Sequence, residues 1–220
     1  MVFLLVKLYS WPNVLGENAD FNQTIMKQID INSRALLSNK TYPLEEITFT
    51  KRALNGAKHQ QKNEIYFRPD AVGVLLVDRE HEEFILLKQF RLPVFLNPYR
   101  SANGYLLEAC AGLVEEGEQP GKAVIREAME ETGYTVSDPF KIGGVYTSAG
   151  AITEFLHLYI AGVSLSDHSG TGGCANGEGE DIRLERIKFS DAKQRLIKGE
   201  INDAKTMLLI QHYFLYFVKK

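Results

Sequence analysis

Three glutamates and one arginine stand close together in the chain and could hold a divalent metal ion. They are Arg126, Glu127, Glu130 and Glu131. On a helix, with about 100° between successive residues, the three carboxylates would share one arc of the surface. Like charges this close destabilise a helix by about 0.2–0.5 kcal/mol per pair, and a hard cation with oxygen ligands would relieve that repulsion. The same cluster, taken alone, is also typical of a solvated helix face.

The residues around the cluster favour the metal-binding interpretation because their spacing follows a known pattern. That pattern is Gly, five residues, Glu, seven residues, Arg-Glu, hydrophobic, any residue, Glu-Glu, any residue, Gly, hydrophobic. Its fixed positions are present in order as Gly112, Glu118, Arg126, Glu127, Glu130, Glu131, Gly133 and Tyr134. This is the Nudix box, and Ala128 is its only mild departure, a small residue where a bulkier aliphatic one is common. From about Met26 to its C-terminus, the chain resembles a Nudix hydrolase.

The elements that must position the box can be predicted from local patterns. A helix is predicted over 120–132, since Pro120 suits a first helical turn and Gly133 suits the position after the end. Strands before and after this helix, with helices at the end of the chain, favour a mixed α/β arrangement. Strands are predicted at 44–51, 61–68, 72–77, 83–91, 105–109, 140–147, 155–162 and 184–189, and helices at 190–198 and 202–218.

The resemblance also implies a domain organisation. Residues 67–220 correspond to the Nudix domain, an α/β/α sandwich with a mixed sheet. Residues 26–66 resemble the antiparallel N-terminal sheet of the ADP-ribose and nucleotide-sugar pyrophosphatase branch. In that branch the sheet commonly exchanges between subunits, which implies a homodimer. Residues 1–25 are expected to be an N-terminal extension, or to precede the native start.

Roles for the box residues follow from the resemblance. It implies Mg²⁺, or Mn²⁺, as the cofactor, with Glu127, Glu131 and the backbone carbonyl of Ala111 as ligands. Glu130 is expected to take part in catalysis by binding a second ion, directly or through water. Arg126 is expected to orient a glutamate by a charged hydrogen bond, with an ordinary surface ion pair as the alternative. Glu118 either pairs with Arg126 to support the loop before the helix or has no such structural role.

Outside the box, the resemblance points to four further residues. Arg91 matches a substrate-binding arginine, and Glu154 matches a substrate-contacting position or is a surface carboxylate at a strand edge. In the acidic end of a glycine-rich loop, Glu180 is expected to bind metal and Glu178 to act as the general base. At 148–150 this chain has Ser-Ala-Gly where the branch usually has Ser-Pro-Gly, which weakens a strict ADP-ribose specificity.

Two segments, 106–118 and 177–214, resemble the GDP-mannose pyrophosphatase branch. The expected reaction is therefore Mg²⁺-dependent hydrolysis of a nucleoside diphosphate sugar to a nucleoside monophosphate and a sugar phosphate. Hydrolysis of ADP-ribose is the alternative among enzymes. A Nudix domain that senses sugar nucleotides without cleaving them is the alternative of another class.

The composition of the chain indicates which partners and which cellular location to expect. The net charge of −3 gives no basic excess for binding nucleic acid. The two cysteines do not form a disulfide framework and suit a cytoplasmic protein. The apolar start of the chain, residues 1–11, is too short to span a bilayer, so no membrane association is expected.

Overall fold

The computed structural model describes residues 29–53, 55–99, 103–170 and 182–218. The chain divides into two compact units, Met1–Phe67 and Arg68–Lys220. No helix among the described residues is long and apolar enough to cross a membrane.

The first unit contains a three-stranded antiparallel sheet in the order β1-β2-β3. Its strands are β1 (Ile29–Asn39), β2 (Pro43–Arg52) and β3 (Lys58–Tyr66). The sequence predicted β2 and β3 but no separate strand at β1. Strand β1 is almost wholly exposed and carries uncovered apolar side chains, including Ile31 at 58% and Leu36 at 62% exposure.

The second unit is built on a seven-stranded mixed sheet with the central order β10-β5-β4-β9-β8. Strands β4 and β9 run parallel and the other pairs run antiparallel; β6 pairs with β5, and β7 pairs with β4. The strands are β4 (Ala71–Asp78), β5 (Glu83–Phe90), β6 (Tyr105–Glu108), β7 (Cys110–Leu113), β8 (Phe140–Tyr146), β9 (Phe155–Gly162) and β10 (Arg183–Lys188).

Helices cover both faces of this sheet. They are α1 (Leu92–Phe95), α2 (Pro120–Glu127), α3 (Phe189–Lys198) and α4 (Ala204–Tyr216), and short 3-10 and π segments occur at Leu165–Asp167 and Ala128–Thr132. Strand β4 is buried along its whole length, as expected for a nearly continuous apolar run. Its Val74 packs in a cluster with residues of α2, and its Leu75 packs in a second cluster with residues of α3 and α4. The α/β/α sandwich predicted from the sequence is therefore confirmed.

The box helix is not α-helical throughout, which differs from the prediction of one helix over 120–132. It is α-helical to Glu127 and then widens into a π-helical turn over Ala128–Thr132. The hydroxyl of Thr132 donates a hydrogen bond to the carbonyl of Ala128, which an α-helix would pair with the amide of Thr132. The segment ends at Gly133, whose φ of 72° lies in the left-handed region that glycine favours. The widened turn carries Glu130 and Glu131, and such turns within helices are frequent at functional sites.

Candidate active site

Strand β7 passes directly against the carboxylates of the box helix. The amide of Ala111 donates a hydrogen bond to Oε2 of Glu131 at 3.1 Å. A Cβ atom placed on Gly112 would lie 1.9 Å from the carboxyl carbon of Glu127. The first glycine of the box is thus required by a close approach, because any side chain there would displace Glu127. The structure therefore brings together Ala111, Glu127 and Glu131, the three groups predicted to bind metal.

Arg126 holds the glutamates of the box in a fan of hydrogen bonds. It donates to both carboxylate oxygens of Glu118, at 3.1 and 2.9 Å, and to the carbonyl of Leu113 at 2.9 Å. Its Nη1 donates to Glu127 at 2.7 Å and to Glu130 at 3.2 Å. The hydrogen bonds from Arg126 hold the pKa of the Glu118 carboxyl below its ordinary value. Arg126 therefore does more than form a surface ion pair. Its guanidinium links the loop before the helix to two carboxylates of the helix, those of Glu127 and Glu130.

The two carboxyls nearest β7 resist ionisation. Burial raises the pKa of Glu131 to about 7, although the Cys110 thiol and the Ala111 amide donate hydrogen bonds to its carboxylate. Burial also raises the pKa of Glu127, in spite of its ion pair with Arg126. A cation bound between these two carboxylates would lower the pKa of both, because it favours their charged forms.

These donors fit a hard divalent ion. Mg²⁺ prefers oxygen ligands and keeps several waters, so two carboxylates and a backbone carbonyl are an adequate protein contribution. In the described part of the chain, no group of three or more His, Cys, Asp and Glu side chains is already arranged to hold a metal ion. Two carboxylates and one carbonyl would leave coordination positions of such an ion to water and to substrate phosphates.

Two cationic side chains, those of Arg91 and Lys205, meet at the carboxylate of Glu108. Arg91 follows β5, and its Nε and Nη2 donate to the two oxygens of Glu108 at 2.7 and 3.2 Å. Lys205, in the first turn of α4, also donates to Glu108 and lies 3.1 Å from Asp203. The charge of Arg91 partly offsets the rise that burial causes in the pKa of Glu131. The guanidinium is therefore close enough to act electrostatically on a box carboxylate.

Glu108 and Lys205 were not singled out from the sequence. Glu108 was noticed only as part of a segment with family resemblance, and Lys205 stands in a mostly apolar helix with no local pattern that marks it. The partners are distant along the chain: Arg91 and Glu108 are 17 positions apart, and Glu108 and Lys205 are 97 positions apart. A charged residue at the end of an apolar strand is the one local signal, since such residues are almost never buried unless they are paired.

Glu154 has partners of its own, in the connection between β8 and β9. Thr147 donates a hydrogen bond to its Oε1 at 3.1 Å, and Nε of Arg68 lies 3.4 Å from its Oε2. Only 13% of its side chain is exposed, so it is not an open surface carboxylate. Glu178 and Glu180, the predicted base and further ligand, lie outside the described residues.

The sequence of the chain also matches a known protein family. A family model described as the NUDIX domain matches residues 67–210. The chain belongs to the Nudix family.

Relatives of this Nudix protein include two GDP-mannose pyrophosphatases. The protein from Pectobacterium atrosepticum is 40% identical over 186 residues, which is 84% of this chain and 93% of the relative. The protein from Cronobacter sakazakii is 36% identical over 184 residues, which is 84% of this chain and 94% of the relative. A solved structure of an ADP compounds hydrolase matches with a TM-score of 0.63 at 16% identity, and covers 86% of this chain and 95% of its own; this likeness concerns the fold alone.

Proposed function

We propose that this Nudix protein is a metal-dependent pyrophosphatase that cleaves the diphosphate of a nucleoside diphosphate sugar, with GDP-mannose as the preferred substrate. The products are a nucleoside monophosphate and a sugar phosphate. The observation that carries the proposal is the convergence of Glu127 and Glu131 on strand β7 in a chain that is 40% identical to a GDP-mannose pyrophosphatase.

The proposed metal site consists of Glu127, Glu131 and the carbonyl of Ala111. Mg²⁺ or Mn²⁺ held there would polarise the diphosphate and lower the pKa of a bound water. Arg126 keeps Glu127 in place through the hydrogen bond at 2.7 Å. Glu130 is half exposed, with 50% of its side chain accessible, so it can reach a second ion or an ordered water.

The remaining roles concern the substrate. Arg91 would bind phosphate oxygens, since a guanidinium offers several donors in a planar fork. Glu154 would contact the substrate from the loop between β8 and β9. We assign Glu180 as a further metal ligand and Glu178 as the general base, in keeping with the resemblance to the family.

Assembly and location complete the proposal. We propose a homodimer formed through the N-terminal β region at 26–66, because the apolar side chains of β1 are uncovered in the single chain. We propose that residues 1–25 are an N-terminal extension. Cys110 is a buried free thiol, and we propose a cytoplasmic location, where thiols stay reduced.

The test is a hydrolysis panel of GDP-mannose, ADP-ribose, ADP-glucose and UDP-glucose with Mg²⁺. We expect the highest kcat/KM for GDP-mannose and loss of turnover in Glu131→Gln. Glu83→Gln is the matched control, because it removes a paired carboxylate at the hairpin between β4 and β5 and should leave turnover unchanged. A preference for ADP-ribose would replace the proposed substrate. Tight binding of a sugar nucleotide with no hydrolysis would instead make the protein a sensor.

A further inference from the structure

A buried carboxylate, Glu108, stands behind the exposed side chain of Arg91. Only 5% of the Glu108 side chain is accessible, whereas 38% of the Arg91 side chain is. The two groups form a bidentate pair, with Nε and Nη2 of Arg91 on the two separate oxygens of Glu108. Such a pair fixes the plane of the guanidinium as well as its position, because two parallel hydrogen bonds leave no free rotation.

The carboxylate is itself fixed from a second direction. Lys205 donates to Oε2 of Glu108, the oxygen that also accepts from Nη2 of Arg91. The next residue, Ala109, lies between β6 and β7 and donates its buried amide to the hydroxyl of Thr206 at 2.6 Å. Thr206 in turn is held by Asp203, the N-cap of α4, which accepts from its amide at 3.0 Å. Burial alone would raise the pKa of Glu108, but the hydrogen bond from Arg91 and the charge of Lys205 hold it below its ordinary value, so Glu108 stays ionised.

The position of this assembly relative to the box is set by one short stretch of backbone. Glu108 ends β6, and Ala111 and Gly112 of β7 contact Glu131 and Glu127. Glu108 is therefore only three positions from Ala111, whose amide binds the Glu131 carboxylate.

We propose that Glu108 is a positioning residue that holds the Arg91 guanidinium in the orientation needed to bind the substrate diphosphate, a role that rests on the proposed hydrolysis of a nucleotide sugar. Glu108 does not touch the substrate. It acts by removing the rotational freedom of Arg91 before the substrate arrives, so less ordering is required on binding.

The test is steady-state kinetics with GDP-mannose and saturating Mg²⁺ on Glu108→Gln, Arg91→Ala and the double variant. Loss of an interaction made equally with substrate and transition state raises KM and leaves kcat little changed. We therefore expect Glu108→Gln to raise KM on the order of tenfold, with kcat within about threefold of wild type. In the Arg91→Ala background, Glu108→Gln should raise KM no further, because the two substitutions remove the same interaction.

The control separates positioning from general loss of a buried pair. Glu83 also shares its carboxylate between an arginine and a lysine, Arg186 and Lys188, but at the β4–β5 hairpin. Glu83→Gln should lower thermal stability without changing KM. If Glu108→Gln does not fold, Glu108→Asp carries the test, since it keeps the charge but withdraws the carboxylate by one methylene, and the same rise in KM is expected.

Three results would overturn the inference. One is an unchanged KM in the folded Glu108 variant, and another is an equal rise in KM in Glu83→Gln. The third is a rise in KM that adds fully to that of Arg91→Ala. A wild-type protein that hydrolysed no member of the substrate panel would instead overturn the proposed function itself.

Discussion

The substitution Glu131→Gln should make the metal-free protein more stable and should also abolish its activity. The carboxyl has a pKa of about 7 in the folded protein, against an ordinary value of 4.5. Because the native state holds this proton more tightly than the unfolded chain, the wild type loses stability as pH rises from about 4.5 to about 7, with no further loss above. The difference of about 2.5 pH units, at about 1.4 kcal/mol each, makes the full loss about 3 kcal/mol. Glutamine has no charge to bury and still offers an oxygen to the Ala111 amide.

The expected result is a stability difference that depends on pH. In urea unfolding with EDTA, Glu131→Gln should exceed wild type by about 3 kcal/mol at pH 8 and by less than about 1 kcal/mol at pH 5. Adding Mg²⁺ at pH 8 should stabilise the wild type by mass action and leave Glu131→Gln nearly unchanged. Glu130→Gln is the control on the same turn, and its half-exposed side chain predicts a change within about 0.5 kcal/mol at both pH values.

Two outcomes would refute this reasoning. If metal-free Glu131→Gln were no more stable than wild type at pH 8, ionisation of the buried Glu131 carboxyl would not destabilise the folded protein. If the gain were the same at pH 5 and pH 8, it would come from packing rather than from ionisation.

Three other predictions test separate parts of the structure. Gly112→Ala should lower kcat/KM on the order of a hundredfold, because the new methyl group would occupy the place of the Glu127 carboxyl. Circular dichroism should show that the fold is retained. A variant with wild-type kinetics would contradict the close approach of Gly112 to Glu127. Arg186→Leu should destabilise the protein by about 1.5–3 kcal/mol in urea unfolding, because the buried Asp78 carboxylate loses its 2.7 Å partner and keeps only its contacts with His81. A loss below about 1 kcal/mol would show that the pair is dispensable. Ile31→Glu should convert the proposed dimer into a monomer by light scattering after gel filtration, and a dimer of unchanged strength would place the interface elsewhere.

Local patterns were sufficient for the elements that carry the box. The apolar run at β4 predicted a buried strand, and Pro120 and Gly133 predicted the ends of the signature helix. Local patterns could not predict the π-helical turn. There the hydroxyl of Thr132 donates a hydrogen bond to the carbonyl of Ala128, and residue spacing does not indicate such a contact. Strand β1 was also missed, since its polar residues and exposed side chains give no buried face to recognise.

The cationic half of the site was predictable only in part. Arg91 was identified by resemblance, but its hydrogen bonds to Glu108 join residues on different strands. Lys205 joins them from a helix near the end of the chain. Contacts of this kind are set by the packing of distant elements, and spacing within one element carries no information about them.

The hydrogen bond from the Ala109 amide to Thr206 links the centre of the site to the last helix of the protein. During synthesis, a ribosome-bound chain that has emerged only as far as the box has the glutamates proposed to bind metal but lacks Lys205 and Thr206. Its Glu108 then has one cation instead of two, and the amide of Ala109 has no hydroxyl to receive its hydrogen bond. The pair of cations on Glu108 is therefore complete only when the C-terminal helix docks, so nascent or truncated chains should contain the whole signature sequence while Glu108 still lacks Lys205.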